Sequence, residues 1–139
     1  YTGFPGSGIY CASKFAVDGL SESLRDEVAD FGIAVTCVKP GNFRTDFLAD
    51  SMQFEDSSIE DYTEKREAFH VLLKGMNHKQ GGDPVKGVEI ILSVANMEKP
   101  PLHLFLGADA YKVAARKIKK VQADMDSIAP VAIDTSFPE

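Results

Sequence analysis

Ile33-Ala34-Val35-Thr36-Cys37-Val38 is the stretch that most restricts the fold. It is short, rich in β-branched residues and nearly continuous in apolarity, whereas a strand with one wet face alternates. Such a run suits a strand buried on both faces of a parallel sheet. Lys39-Pro40-Gly41-Asn42 then stops it, because proline and glycine punctuate. Parallel neighbours are joined by crossovers, usually helical, so helices are required on either side.

The flanking segments supply them. Residues 9–31 read as a helix, with Ala12, Ala16, Leu20, Leu24 and Val28 recurring every four residues and Phe15, Val17 and Phe31 widening the stripe. Gly32 is its C-terminal cap. Between Phe43 and Ser58, acidic residues interrupt Phe47, Leu48, Met52 and Phe54, which reads as a loop holding a short helix. Residues 59–75 are helical, with Glu60, Asp61 and Glu64 placed early to suit the helix dipole. Gly81-Gly82 breaks the pattern, and Asp83-Pro84 starts a new helix as N-cap and first-turn proline. Val85, Val88, Ile91, Leu92 and Ala95 form its buried stripe, and Asn96 ends it. After Pro100-Pro101, Leu102–Leu106 is a second strand, closed by Gly107. A last helix over 109–125 carries Ala110, Val113, Ala114, Ile118, Val121 and Met125 on one side, and 127–139 read as an irregular tail.

The order helix–strand–helices–strand–helix indicates an α/β fold with a parallel sheet. The 139 residues fit one domain, yet two strands leave unpaired edges and uncovered faces. Further strands are therefore expected from sequence outside this stretch, and Tyr1–Gly8, which reads as the middle of a loop, agrees with that expectation.

Tyr10 and Lys14 carry the chemistry. Four residues apart on a helix, a phenol and an ammonium share one face. A cation beside a phenol favours the phenolate. The pair is thus a candidate proton donor and acceptor for interconverting an alcohol and a carbonyl. The same spacing also fits an amphipathic helix with an exposed lysine beside a half-buried tyrosine, so its context must decide.

Other features exclude more than they suggest. A net charge of −6 argues against nucleic acid or an anionic membrane surface as main partner. No apolar run approaches the ~20 residues of a membrane span. Cys11 and Cys37 suit reduced, buried thiols, which points to the cytoplasm. His70, His78 and His103 lack a second ligand at metal spacing, so no metal site is expected. Glu55, Asp56, Glu60 and Asp61 read as a solvated face, and Lys112, Arg116, Lys117, Lys119 and Lys120 as cations complementing a helix C-terminus. Phe47, Phe54, Tyr62, Phe69 and Leu73 either line a substrate pocket or pack as ordinary core.

Several pieces, in order, resemble the C-terminal half of a single-domain short-chain dehydrogenase/reductase. Tyr10 through Arg25 is similar to that superfamily's active-site helix, and Gly32 through Val38 to the strand after it. Pro40-Gly41-Asn42-Phe43-Arg44-Thr45 matches its Pro-Gly-x-x-x-Thr segment beside the nicotinamide. Leu104 through Ala110 looks like its final strand and the start of its last helix. The resemblance implies a doubly wound, Rossmann-like domain of which residues 1–139 are the C-terminal portion, without the N-terminal nucleotide-binding half.

It also implies an NAD- or NADP-dependent oxidoreductase acting on a small alcohol or ketone. Tyr10 would be the acid or base, and Lys14 would hold the nicotinamide ribose. Pro40 and Gly41 would shape the turn under the nicotinamide. The Phe43 backbone and Thr45 hydroxyl would meet its carboxamide and nearby phosphate. The superfamily usually has a smaller aliphatic residue where Phe43 stands. Its catalytic serine is expected before Tyr1, so neither Ser7 nor Ser13 is assigned. Many relatives form homodimers or homotetramers, and two long helices here could mediate one. Two other readings stay open. A sugar-nucleotide epimerase or dehydratase also uses Tyr-x-x-x-Lys, and a truncated, non-enzymatic chain would hold no cofactor.

Overall fold

The computed structural model describes residues 1–48 and 59–137. In chain order these form α1 (Gly8–Val28), β1 (Cys37–Pro40), α2 (Thr63–Met76), α3 (Pro84–Ala95), β2 (His103–Leu106) and α4 (Ala108–Ala132), with 3-10 turns at Ala29–Phe31, Asp46–Leu48 and Glu60–Tyr62. α1 ends at Val28, short of the expected residue 31, and Gly32 closes the 3-10 turn that continues it: its φ of 70° is left-handed, and its N–H donates to the Ala29 carbonyl at 3.0 Å. Asp83 caps α3 by accepting the Val85 N–H at 2.9 Å, with Pro84 at the first helical position.

β1 and β2 are parallel, pairing Cys37 with His103 through Pro40 with Leu106. The strand therefore starts and ends later than Ile33–Val38. Pairing decides this, because β2 begins only after Pro100-Pro101, whose missing N–H groups cannot extend a ladder upstream. The join above it is made by the Thr36 hydroxyl, which donates to the Pro101 carbonyl at 2.8 Å, and by the Cys37 N–H on Leu102. Pro40 is tolerated as the last residue of β1.

The register places Val38, Pro40, Leu104 and Leu106 on one face and Cys37, Lys39, His103 and Phe105 on the other. α3 covers the first face, where Val94, Leu104 and Leu106 form the core with Ile91 and Phe43 packed against it. α1 covers the second. There the Lys39 ammonium pairs with Asp18, and His103 Nε2 stands 3.8 Å from Glu22. Tyr1, Phe105 and Tyr111 continue that layer as a chain of ring contacts. Helices on both faces of a parallel sheet are the arrangement expected of the α/β class.

The helix faces, however, are largely uncovered. Of the stripe expected to be buried on α3 only Ile91 turns inward, beside Gly87 and Val94, while Val85 is 66% and Leu92 58% exposed. On α1 only Cys11 is buried and Leu20 is 69% exposed, while on α4 only Ala114 is buried. The reason is width. Paired strands stand about 4.8 Å apart, whereas a helix with its side chains is about 10–12 Å across. Two strands cannot underlie the helices on either face.

α4 corrects two further expectations. It runs on to Ala132, so 127–132 are helical and only 133–137 of the described tail lie outside helix and strand. Pro130 falls in the last turn, where its missing N–H forfeits one bond, and the Ile133 N–H still closes on the Ala129 carbonyl at 3.2 Å. Lys112 through Lys120 consequently stand mid-helix, too far from its end to complement the dipole.

Among the described residues no helix is long and apolar enough to cross a membrane.

Candidate active site

The segment before α1 positions the phenol–ammonium pair. Gly6 adopts φ 78°, a conformation that glycine tolerates. A Cβ there would meet the Phe69 ring at 3.2 Å, so the loop rests on α2. The Ser7 carbonyl accepts the Cys11 N–H at 2.8 Å as the first helical bond. Tyr10 thus lies in the first turn and Lys14 one turn on. The Lys14 ammonium sits 5.5 Å from the centroid of the Tyr10 ring. Both side chains are exposed, Tyr10 at 52%, while Cys11 between them is buried and fixes the helix face. The Ser13 hydroxyl donates to the Tyr10 carbonyl at 2.7 Å. Phe47 stands beside the pair, its ring centroid 6.3 Å from that of Tyr10.

The segment from Pro40 to Thr45 is tied to two other parts of the chain. The Gly41 N–H extends the strand ladder to the Leu106 carbonyl at 2.8 Å. The Asn42 N–H donates to Asp109 Oδ2 at 2.7 Å, and the Asn42 carbonyl accepts the Gly82 N–H at 3.0 Å. The Arg44 N–H returns to the Gly82 carbonyl at 2.9 Å, and the Arg44 guanidinium holds the Gln80 carbonyl through Nε and Nη2 at 3.2 and 3.1 Å. Thr45 is exposed, and its Oγ1 lies 3.4 Å from the Phe47 N–H.

Phe43, larger than the aliphatic residue the resemblance calls for, turns toward the core. Its ring fits because Gly82 and Gly87 lack side chains; a Cβ on either would approach ring carbons to 2.8 Å. The Phe47-to-Tyr10 contact then links this segment back to α1.

The remaining candidates separate. Tyr62 is exposed at 59%, Phe69 and Leu73 are half-buried on α2, and Phe54, Glu55 and Asp56 lie outside the described residues. Glu60 and Asp61 are exposed. Cys11 and Cys37 are buried free thiols. Among the described residues no three His, Cys, Asp or Glu side chains are grouped as a metal would need. The participants missing from the sequence reading are Asp109, Gly82 and Gly87. Gly107-Ala108-Asp109 after a strand was a visible signal for a helix start, but nothing local marks its contact with Asn42, 67 residues away.

The chain is similar to known proteins over most of its length. The model of the short chain dehydrogenase family matches residues 1–56. The oxidoreductase BOA17 of Botryotinia fuckeliana is 37% identical over 121 residues, which is 87% of this chain and 44% of that protein. A 3-ketodihydrosphingosine reductase of Bacteroides thetaiotaomicron is 34% identical over 76% of this chain and 39% of its own length. The crystal structure of a short-chain dehydrogenase from Streptomyces avermitilis superposes with a TM-score of 0.83 at 35% identity, covering 98% of this chain and 49% of that one. The chain spans less than half the length of these curated relatives.

Proposed function

We propose, for a chain that belongs to the short-chain dehydrogenase/reductase superfamily, the interconversion of an alcohol and a ketone with NAD or NADP. The observation that carries this reading is the exposed Tyr10–Lys14 pair on the first turns of α1, with Phe47 beside it. The residues present fit the nicotinamide end of such a cofactor. Lys14 offers an exposed ammonium to the ribose hydroxyls, and Thr45 an exposed hydroxyl. The Phe43 backbone stands on a turn held from both sides.

When bound, that cofactor supplies or accepts the hydride. The chain's own part is proton transfer and positioning. In ketone reduction Tyr10 Oη gives its proton to the developing alkoxide; in alcohol oxidation it takes the hydroxyl proton. Lys14, one turn away, would hold the ribose, and it keeps positive charge beside the phenol as negative charge builds there. Pro40 and Gly41 set the turn from which the Phe43 backbone and Thr45 would hold the nicotinamide end of the cofactor. The apolar ring of Phe47 favours an apolar substrate face near the reacting carbon. Buried free thiols at Cys11 and Cys37 support a reducing compartment, the cytoplasm.

Tyr10→Phe in the natural protein tests the reading. Turnover is expected to fall by about 10²–10⁴-fold, while cofactor affinity survives because the ring remains. Lys14→Met is expected to weaken cofactor binding as well. Near-normal turnover in Tyr10→Phe would overturn the assignment.

A further inference from the structure

The geometry points to Asp109 as a positioning residue: its carboxylate fixes the Pro40–Gly41–Asn42 turn, and through it the backbone that meets the nicotinamide end of the cofactor. This rests on the function proposed above.

Three separate features converge on that carboxylate. Its Oδ2 accepts the Asn42 N–H at 2.7 Å, across 67 residues of sequence. Its Oδ1 occupies space that two glycines leave open. A Cβ on Gly41 would overlap the carboxylate outright, and one on Gly107 would lie 2.7 Å from Oδ1. Gly107 also has φ 94°, which side-chain-bearing residues rarely adopt, so the seat of Asp109 is built into the end of β2. Finally, Asp109 stands in the first turn of α4, where a negative charge is favourable.

The clamp is two-sided. Asn42 gives its N–H to Asp109 while its carbonyl takes the Gly82 N–H at 3.0 Å. Its neighbour Gly41 is held by the Leu106 carbonyl. With both peptide groups around Asn42 fixed, the orientation of the next residue, Phe43, is set before any cofactor arrives. A hydrogen bond from an amide to a carboxylate is about twice as strong as one between neutral groups, so Asp109 is the firmest of these ties. Releasing it frees the turn without touching Tyr10 or Lys14.

The test is Asp109→Ala in the natural protein, with dissociation constants measured for NADH, NADPH and ADP-ribose, which lacks the nicotinamide. Binding of the preferred dinucleotide is expected to weaken by about tenfold or more, as for loss of a charged hydrogen bond, while ADP-ribose affinity stays within about twofold of the parent. A general loss of structure would move both ligands together, and that outcome overturns the positioning role, as does unchanged dinucleotide affinity. Gly41→Ala provides a second route, since its methyl would displace the same carboxylate; it should show the same selective loss. A parent protein that binds no nicotinamide dinucleotide at all would instead overturn the proposed function, and this inference with it. Tyr10→Phe, which should lower turnover and spare binding, keeps the two failures distinct.

Discussion

Gly87→Ala is expected to destabilise this protein, against the usual rule for a helix interior. Replacing glycine by alanine there normally stabilises by about 1 kcal/mol, because alanine has less backbone freedom to lose. At Gly87, however, the new Cβ would lie 2.8 Å from Phe43 Cε1 and 3.4 Å from Cζ. Ordinary carbon contacts begin near 3.5 Å, so the ring must retreat by roughly 0.7 Å. Its retreat is limited by the Val94, Leu104 and Leu106 core against which it packs. Overpacking of this kind costs about 1–3 kcal/mol, leaving a net loss of roughly 0–2 kcal/mol once the helix-propensity gain is subtracted. Equilibrium urea unfolding of the natural protein measures it, with Gly19→Ala and Gly75→Ala as calibrants, since a Cβ at either meets nothing within 4 Å. In a Phe43→Leu background the sign should reverse and Gly87→Ala should stabilise, giving a coupling energy of about 1 kcal/mol or more. If Gly87→Ala alone is as stabilising as the calibrants, Phe43 is not wedged between α3 and the turn, and the account of its seat is wrong.

Two further outcomes follow from packing. Asp18→Ala strands the Lys39 ammonium, whose side chain is only 8% exposed, and should cost about 3–5 kcal/mol. Lys39→Met leaves an apolar chain in that place and the more accessible Asp18 carboxylate, so its cost by the same unfolding assay should be smaller; equal costs would show that the pair is not buried as described. The 139-residue polypeptide expressed by itself, with Leu20, Val85 and Leu92 uncovered, should associate and bind hydrophobic dyes. A monodisperse species with one cooperative melting transition in scanning calorimetry would contradict that.

The sequence by itself determined what is local. The 3.6-residue period and Gly32 place α1, Asp83-Pro84 starts α3, and Tyr10 and Lys14 fall on one helical face because four residues make about one turn. The α/β class and the parallel pairing follow from the same reasoning, since an apolar β-branched run between helices has few other ways to be buried. What the sequence could not decide depends on partners distant along the chain. The ends of β1 were settled by where β2 begins beyond two prolines, and the inward face of α3 by which residues reached a sheet only two strands wide. Residues 127–139 read as an irregular tail, yet α4 continues through Pro130 to Ala132. Asp109 fell within the stretch read as the final strand and the start of the last helix. Only the fold brought it against Asn42, because the glycines at 41 and 107 leave room for a carboxylate that no local pattern of residues announces.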